Sequence, residues 1–135
     1  MTRRLALGAA AVALFAAAPV VAAEDTAATV VPQFMHALPD MPGKAMKVVT
    51  VSYAPGAASP PHRHGSAFVY AYVLSGKIRT QVEGEAEKIL GPGEGWFEAP
   101  GAHHIVSGNA STTEPAKFLV VFVANDKDPP TVMDK

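Results

Sequence analysis

The sequence contains no cysteine, so no disulfide supports its fold and no lipid can be attached in the manner of bacterial lipoproteins. It has little charge imbalance, with 11 Lys and Arg against 12 Asp and Glu and a formal net charge of −1 at pH 7. No basic patch stands out, which argues against nucleic acid as a partner. A Gly-rich phosphate-binding loop is missing, and no serine sits in a nucleophile-elbow pattern. Beyond residue 23 no segment keeps a long helical period.

The N-terminus is best set aside before the rest is read. Arg3 and Arg4 precede an almost unbroken apolar run over residues 5–21, and Val21-Ala22-Ala23 offers small residues before Glu24-Asp25. That order predicts a secretory signal peptide over residues 1–23, cleaved after Ala23. The run is short for a membrane anchor. The expected localisation is periplasmic or secreted, in a bacterium, with no membrane association once the leader is removed. Arg3-Arg4 runs directly into Leu5-Ala6, so a twin-arginine export signal is not expected. The remaining chain, residues 24–135, suffices for one small core and carries a charge of about −3 once the two arginines are gone.

This part reads as strands and turns. Residues 45–53 alternate, with Met46, Val48 and Thr50 on one side and Lys47, Val49 and Val51 on the other. Residues 67–74 are rich in Val, Tyr and Phe, and Ile78, Thr80 and Val82 alternate with Arg79, Gln81 and Glu83. Residues 117–124 are apolar on both faces and suit a central strand. Pro55-Gly56, Ser75-Gly76, Glu83-Gly84, Gly91-Pro92-Gly93 and Pro100-Gly101 punctuate them as turns. Many short strands predict an all-β barrel or jelly roll. The expected organisation is a leader (1–23), an N-terminal arm (24–44), a barrel (45–124) and a C-terminal tail (125–135), with residues 24–29 and 125–135 wrapping the outside or fraying. Phe68, Tyr70, Tyr72, Trp96 and Phe97 are expected in the core or the wall of a pocket.

Four of the five histidines fall in two clusters. In His62-Arg63-His64 an extended backbone, favoured by Pro60 and Pro61, projects both rings from one face with Arg63 opposite. Residues 100–104 place His103 and His104 after a tight turn, and alternation leaves His103 outside the set that faces His62 and His64. Imidazole is a common ligand for borderline divalent metals, so the two clusters predict one metal site. His36 has no acid, base or second histidine beside it and reads as a loop or dimer-contact residue.

The two clusters resemble the two motifs of the cupin family. Gly56, His62, His64 and Gly76 match the first, and Gly93, Gly101 and His104 match the second, with the resemblance running over residues 47–123. It implies a cupin-type double-stranded β-helix, a jelly-roll barrel with a divalent transition metal in its mouth. It carries ligand roles onto His62, His64 and His104, and it implies a homodimer. The chain departs from the pattern at three places. Ala99 stands at a proline position with Pro100 next, and Gly108 stands at an asparagine position with Asn109 next. Val69 occupies the place of the family's glutamate ligand. The nearest replacement carboxylate in sequence is Glu98, a candidate acid or base. The Pro100-Gly101 turn breaks the parity count, so Glu98 either faces the site or is a surface carboxylate.

Three imidazoles leave coordination positions open, which suits a chelating enolate or catecholate beside dioxygen. The expected function is therefore dioxygenase-like chemistry of the quercetinase kind on a small enolic or phenolic substrate. The alternative is a periplasmic module that binds a metal or a small molecule without turnover. The metal is one of Cu, Zn, Fe, Mn or Ni. Cu or Zn is favoured if the site loads outside the cytoplasm, because imidazole sites prefer them in free competition.

Overall fold

The computed structural model describes residues 28–134, all of them β-structure, turns or loops. The expected leader lies outside the described residues. Two antiparallel sheets face each other. Sheet A runs in the order β1 (Thr29–Ala37), β2 (Lys44–Tyr53), β10 (Ala116–Asn125), β5 (Phe68–Ser75) and β8 (Gly95–Glu98). Sheet B runs β11 (Val132–Met133), β4 (His62–Arg63), β9 (His103–Asn109), β6 (Ile78–Val82) and β7 (Lys88–Leu90), with β3 (Ala58–Ser59) also on β9. The non-sequential neighbours make this a jelly roll of the double-stranded β-helix kind, as the turn-rich sequence predicts.

Alternation sets what each strand buries. In β10 the residues Phe118, Val120 and Phe122 are buried while their neighbours are half-buried or exposed, and β10 sits at the centre of sheet A between β2 and β5. Val51, Val69, Ala71 and Val73 complete that inner wall, and Ile78 closes it from sheet B. Tyr53 packs its ring against Phe118, the centroids 5.7 Å apart. Gly76 holds the turn from β5 to β6. It has φ +71°, and a Cβ there would lie 2.4 Å from the carbonyl oxygen of Pro115, so both the backbone angle and the space require glycine.

The aromatic residues divide differently from expectation. Trp96 is buried, but Phe68, Tyr70, Tyr72 and Phe97 lie on the outside of sheet A, with Phe97 57% exposed. The cause is parity. Val69 and Ala71 take the inward positions of β5, and Trp96 and Glu98 take those of β8, so their neighbours must face out. The C-terminal segment also departs from the expected outer wrap: β11 pairs with β4, and Pro130, Thr131 and Met133 line the interior cavity.

Candidate metal centre

β4 and β9 carry the histidines. The ladder sets His62 directly opposite His104 and Arg63 opposite His103. His64 follows β4, past Arg63, whose guanidinium turns outward and donates to the carbonyl oxygen of Gly101. Ring centroids of His62 lie 4.8 Å from His64 and 5.0 Å from His104. One ring nitrogen from each of the three lies within 4.8 Å of the others, and all three residues are buried. His103 points away, bonded to Asp134 at 2.7 Å, and His36 stacks on Phe34 on the exposed β1.

The free nitrogens follow from the bonded ones. His62 Nδ1–H donates to the carbonyl of Pro60 at 2.7 Å, and His64 Nδ1–H donates to that of Pro130 at 2.6 Å. A carbonyl oxygen accepts only, so each bond fixes the Nδ1–H tautomer and leaves Nε2 with its lone pair. On His104 it is Nε2 that is bonded, to Thr80 Oγ1 at 2.8 Å, and Nδ1 has no hydrogen-bond partner. Outer partners that fix ring orientation in this way are usual for metal-binding histidines.

Glu98 is inward and only 3% exposed. The ladder places it directly opposite Val69, so a carboxylate from β8 reaches the interior beside the position where the family's glutamate is lost. Its Oε1 accepts from Trp96 Nε1–H at 3.0 Å and lies 3.1 Å from His104 Nδ1. Its Oε2 lies 3.5 Å from His64 Nε2 and is buried without a hydrogen bond.

Burial governs the protonation states. It lowers the pKa of His62, His64 and His104, the last to about 3, where the neighbouring His62 and His64 push it down further. It raises that of Glu98, against the opposing pull of the Trp96 N–H and of His62 nearby. Neutral rings therefore face the carboxylate, and these contacts are not conventional salt bridges. A divalent cation fits this donor set. It would satisfy the two orphaned buried atoms, Glu98 Oε2 and His104 Nδ1, and it needs neutral imidazole of the kind that burial enforces. Among the described residues, this is the cluster whose donors approach closely enough to share one ion.

The centre opens onto a cavity of about 270 Å³. Val49, Val51, Phe118, Val120 and Phe122 give it an apolar wall, and among the described residues no Lys or Arg lines it. Sequence reasoning left the direction of Glu98 open and missed the tail. The cross-strand register with Val69 settles the first. No local pattern announces that the Pro130 carbonyl would reach His64.

A cupin domain matches residues 49–122. No curated protein sequence matches the chain. Among solved structures, TT1209 from Thermus thermophilus is 29% identical over 73% of this chain and 85% of its own, with a TM-score of 0.59. The DMSP lyase DddQ from Ruegeria pomeroyi is 25% identical over 65% of this chain, with a TM-score of 0.57, and this chain spans only 42% of its length. An oxalate oxidase in complex with glycolate aligns over 81% of this chain and 56% of its own with a TM-score of 0.62, and at 22% identity it shows the fold alone. With the jelly roll, the paired histidine clusters and a family match over more than half its length, the chain belongs to the cupin domain family.

Proposed function

We propose that this cupin is exported, binds one divalent metal ion through His62, His64 and His104, and acts on a small enolic or phenolic substrate in a dioxygenase-like reaction. The observation that carries the reading is the convergence of three neutral imidazoles within 4.8 Å at the wall of an apolar cavity. Bound there, the ion supplies Lewis-acid polarisation to a chelating pair of substrate oxygens. Glu98 Oε2, buried and without a partner, accepts the hydroxyl proton as an enol or phenol binds. The Val and Phe wall excludes water and holds the substrate body. No Lys or Arg among the lining residues offsets a second negative charge, which disfavours small dianions such as oxalate.

Oxygen uptake by metal-loaded protein tests this, with flavonols, catechols and β-diketones as substrates. Consumption with at least one class, abolished in Glu98→Gln, is expected. Silence across all three, with melting shifts on ligand addition, supports the second reading, a binding module without turnover. That reading draws on the lack of any nucleophilic Ser, Cys or Lys at the centre.

The leader over residues 1–23 puts the protein in the periplasm or outside the cell. Three imidazoles then favour Cu or Zn over Mn and Fe in open competition. Elemental analysis of protein taken from its native compartment should show Cu or Zn, and mainly Fe or Mn would contradict loading there.

The chain also forms a homodimer through the outer face of sheet A. Across five strands, Phe34, Val48, Val121, Tyr70 and Phe97 follow one another in register. The rows on either side hold Val31, Thr50, Leu119 and Tyr72, and His36, Met46, Val123 and Phe68, so the middle of this face has no charged residue. A face about 20 Å wide by 15 Å long, uncharged and mainly apolar, suits a second copy of itself better than a charged partner. Light scattering should report a dimer for the wild type and a folded monomer for Val121→Glu.

A further inference from the structure

Away from the histidines, the same cavity holds a second polar group that the metal centre does not use. Tyr53 Oη lies 2.7 Å from Ser59 Oγ and 2.9 Å from Ser107 Oγ, and all three residues line the cavity. Their placement repeats that of the ligands. Ser59 is opposite Ser107 on β3 and β9, as His62 is opposite His104 on β4 and β9. Serine and histidine are three positions apart on both sides, Ser59 to His62 and His104 to Ser107. An odd spacing would turn them to opposite faces, but the β6–β9 register skips Ile105, and Ser107 returns to the interior. At about 3.3 Å per residue the hydroxyls sit roughly 10 Å from the histidines.

The hydrogens of this group do not balance within it. Three hydroxyls bring three O–H donors, and the two contacts use two of them. Neither serine hydroxyl makes another hydrogen bond among the described residues. Whichever way Tyr53 donates, the serine that accepts from it keeps its own hydrogen. The tyrosine itself is 1% exposed and is pinned against Phe118, so the group is rigid and set in an apolar surround. A spare donor turned into an apolar cavity favours a ligand that brings an oxygen to it over one that brings a methyl group.

We propose that the Ser59–Ser107 hydroxyl pair, held by Tyr53, is a second recognition point in the cavity. The ligand it fits has a metal-chelating enolic or phenolic head, an apolar body, and an uncharged hydrogen-bond acceptor at the far end, such as a ketone or ether oxygen. The apolar residues between the two points, among them Val51, Phe118 and Val120, match the body. With no Lys or Arg among the lining residues described, a carboxylate or phosphate at the far end is disfavoured. This proposal rests on the metal-centred reading above, which supplies the head group.

The test uses Zn-loaded protein without oxygen, and compares 4-acetylcatechol with 4-isopropylcatechol. The two are close in size, and the first alone carries a distal acceptor. Because the acetyl group also acidifies the catechol, the readout is how the affinity ratio changes between proteins. Ser59→Ala/Ser107→Ala should lower the acetyl-to-isopropyl ratio about tenfold, the size expected for one buried hydrogen bond. Zinc content and isopropylcatechol affinity should stay at wild-type values. Tyr53→Phe, which leaves both serine donors but frees them to turn, should lower the ratio less than the double variant does; a fall as large as in the double variant would assign the effect to general damage at this end of the cavity and overturn the proposal. An unchanged ratio in the double variant overturns the proposal and leaves the metal reading intact. Zinc uptake without binding of either catechol overturns the proposal together with the enolic or phenolic substrate class. Failure to take up zinc overturns the metal centre itself.

Discussion

Across the shared interior, sheet A presents Val51, Val69, Val73, Phe118, Val120 and Phe122, while sheet B presents His62, Thr80, His104, Ser107 and Asn109. The one wall is a packing surface, and the other is a row of donors and acceptors. Burial without a partner costs the polar wall far more than the apolar one, and its residues are accordingly bonded to one another, to backbone or, for Ser107, to Tyr53 across the interior. Asn109 shows this well: its amide donates to the carbonyls of Ala54 and Glu114, at 3.1 and 2.7 Å, and its oxygen accepts from the Ser111 N–H. The exceptions mark the chemistry. Among the described residues, Glu98 is the one carboxylate that sheet A sends inward, from the edge strand β8, and its Oε2 and the Nδ1 of His104 are the buried side-chain atoms left without a bond. Stability is thus drawn mainly from one sheet and function mainly from the other.

That division can be broken in several ways. Phe118→Ala strikes the packing wall and should cost about 3–5 kcal/mol in urea unfolding. Unchanged stability there would remove the distinction between the walls. Acid strikes the polar wall. The folded-state pKa of His104 is about 3, well below that of the unfolded chain, so the unfolded state binds the extra proton and stability falls as pH drops below about 6.5. His62 and His64, also lowered by burial, act in the same direction. Between pH 7.5 and pH 5 the metal-free protein should lose about 2 kcal/mol through His104 alone. Glu98, raised by burial, acts in the opposite direction, so the profile is measured on Glu98→Gln, where a flat line over that range would show these rings to be solvated. Thr80→Val removes the hydroxyl that orients His104 while keeping its shape, and metal affinity should fall about tenfold with little change in melting temperature. A loss of stability without loss of affinity would return Thr80 to the packing side of the comparison.

Much of the fold was legible because its cause is local. Alternation over residues 45–53 and 78–83 and the Gly and Pro turns mark strands that the structure shows as β2 and β6. His-x-His on extended backbone brings two rings to one face for the same reason. What the sequence concealed depends on which strands become neighbours. Phe68, Tyr70, Tyr72 and Phe97 look like core residues until Val69, Ala71, Trp96 and Glu98 are seen to hold the inward positions. Glu98 was ambiguous because a turn separates it from His104, and only the β5–β8 register, Val69 opposite Glu98, gives its direction. The tail was illegible altogether, since a backbone carbonyl at Pro130 reaching His64 leaves no trace in residue type.

The central claim is that imidazoles from two distant segments share one cation with Glu98 at hand. Calorimetric titration of metal-free protein with Zn(II) tests it most directly. The wild type should bind one ion per chain, saturably and with release of few protons from rings that are already neutral, and His104→Ala and His62→Ala should each abolish that binding while remaining folded. Wild-type protein that binds no zinc, or a His104→Ala variant that binds it as tightly as the wild type, would contradict the account.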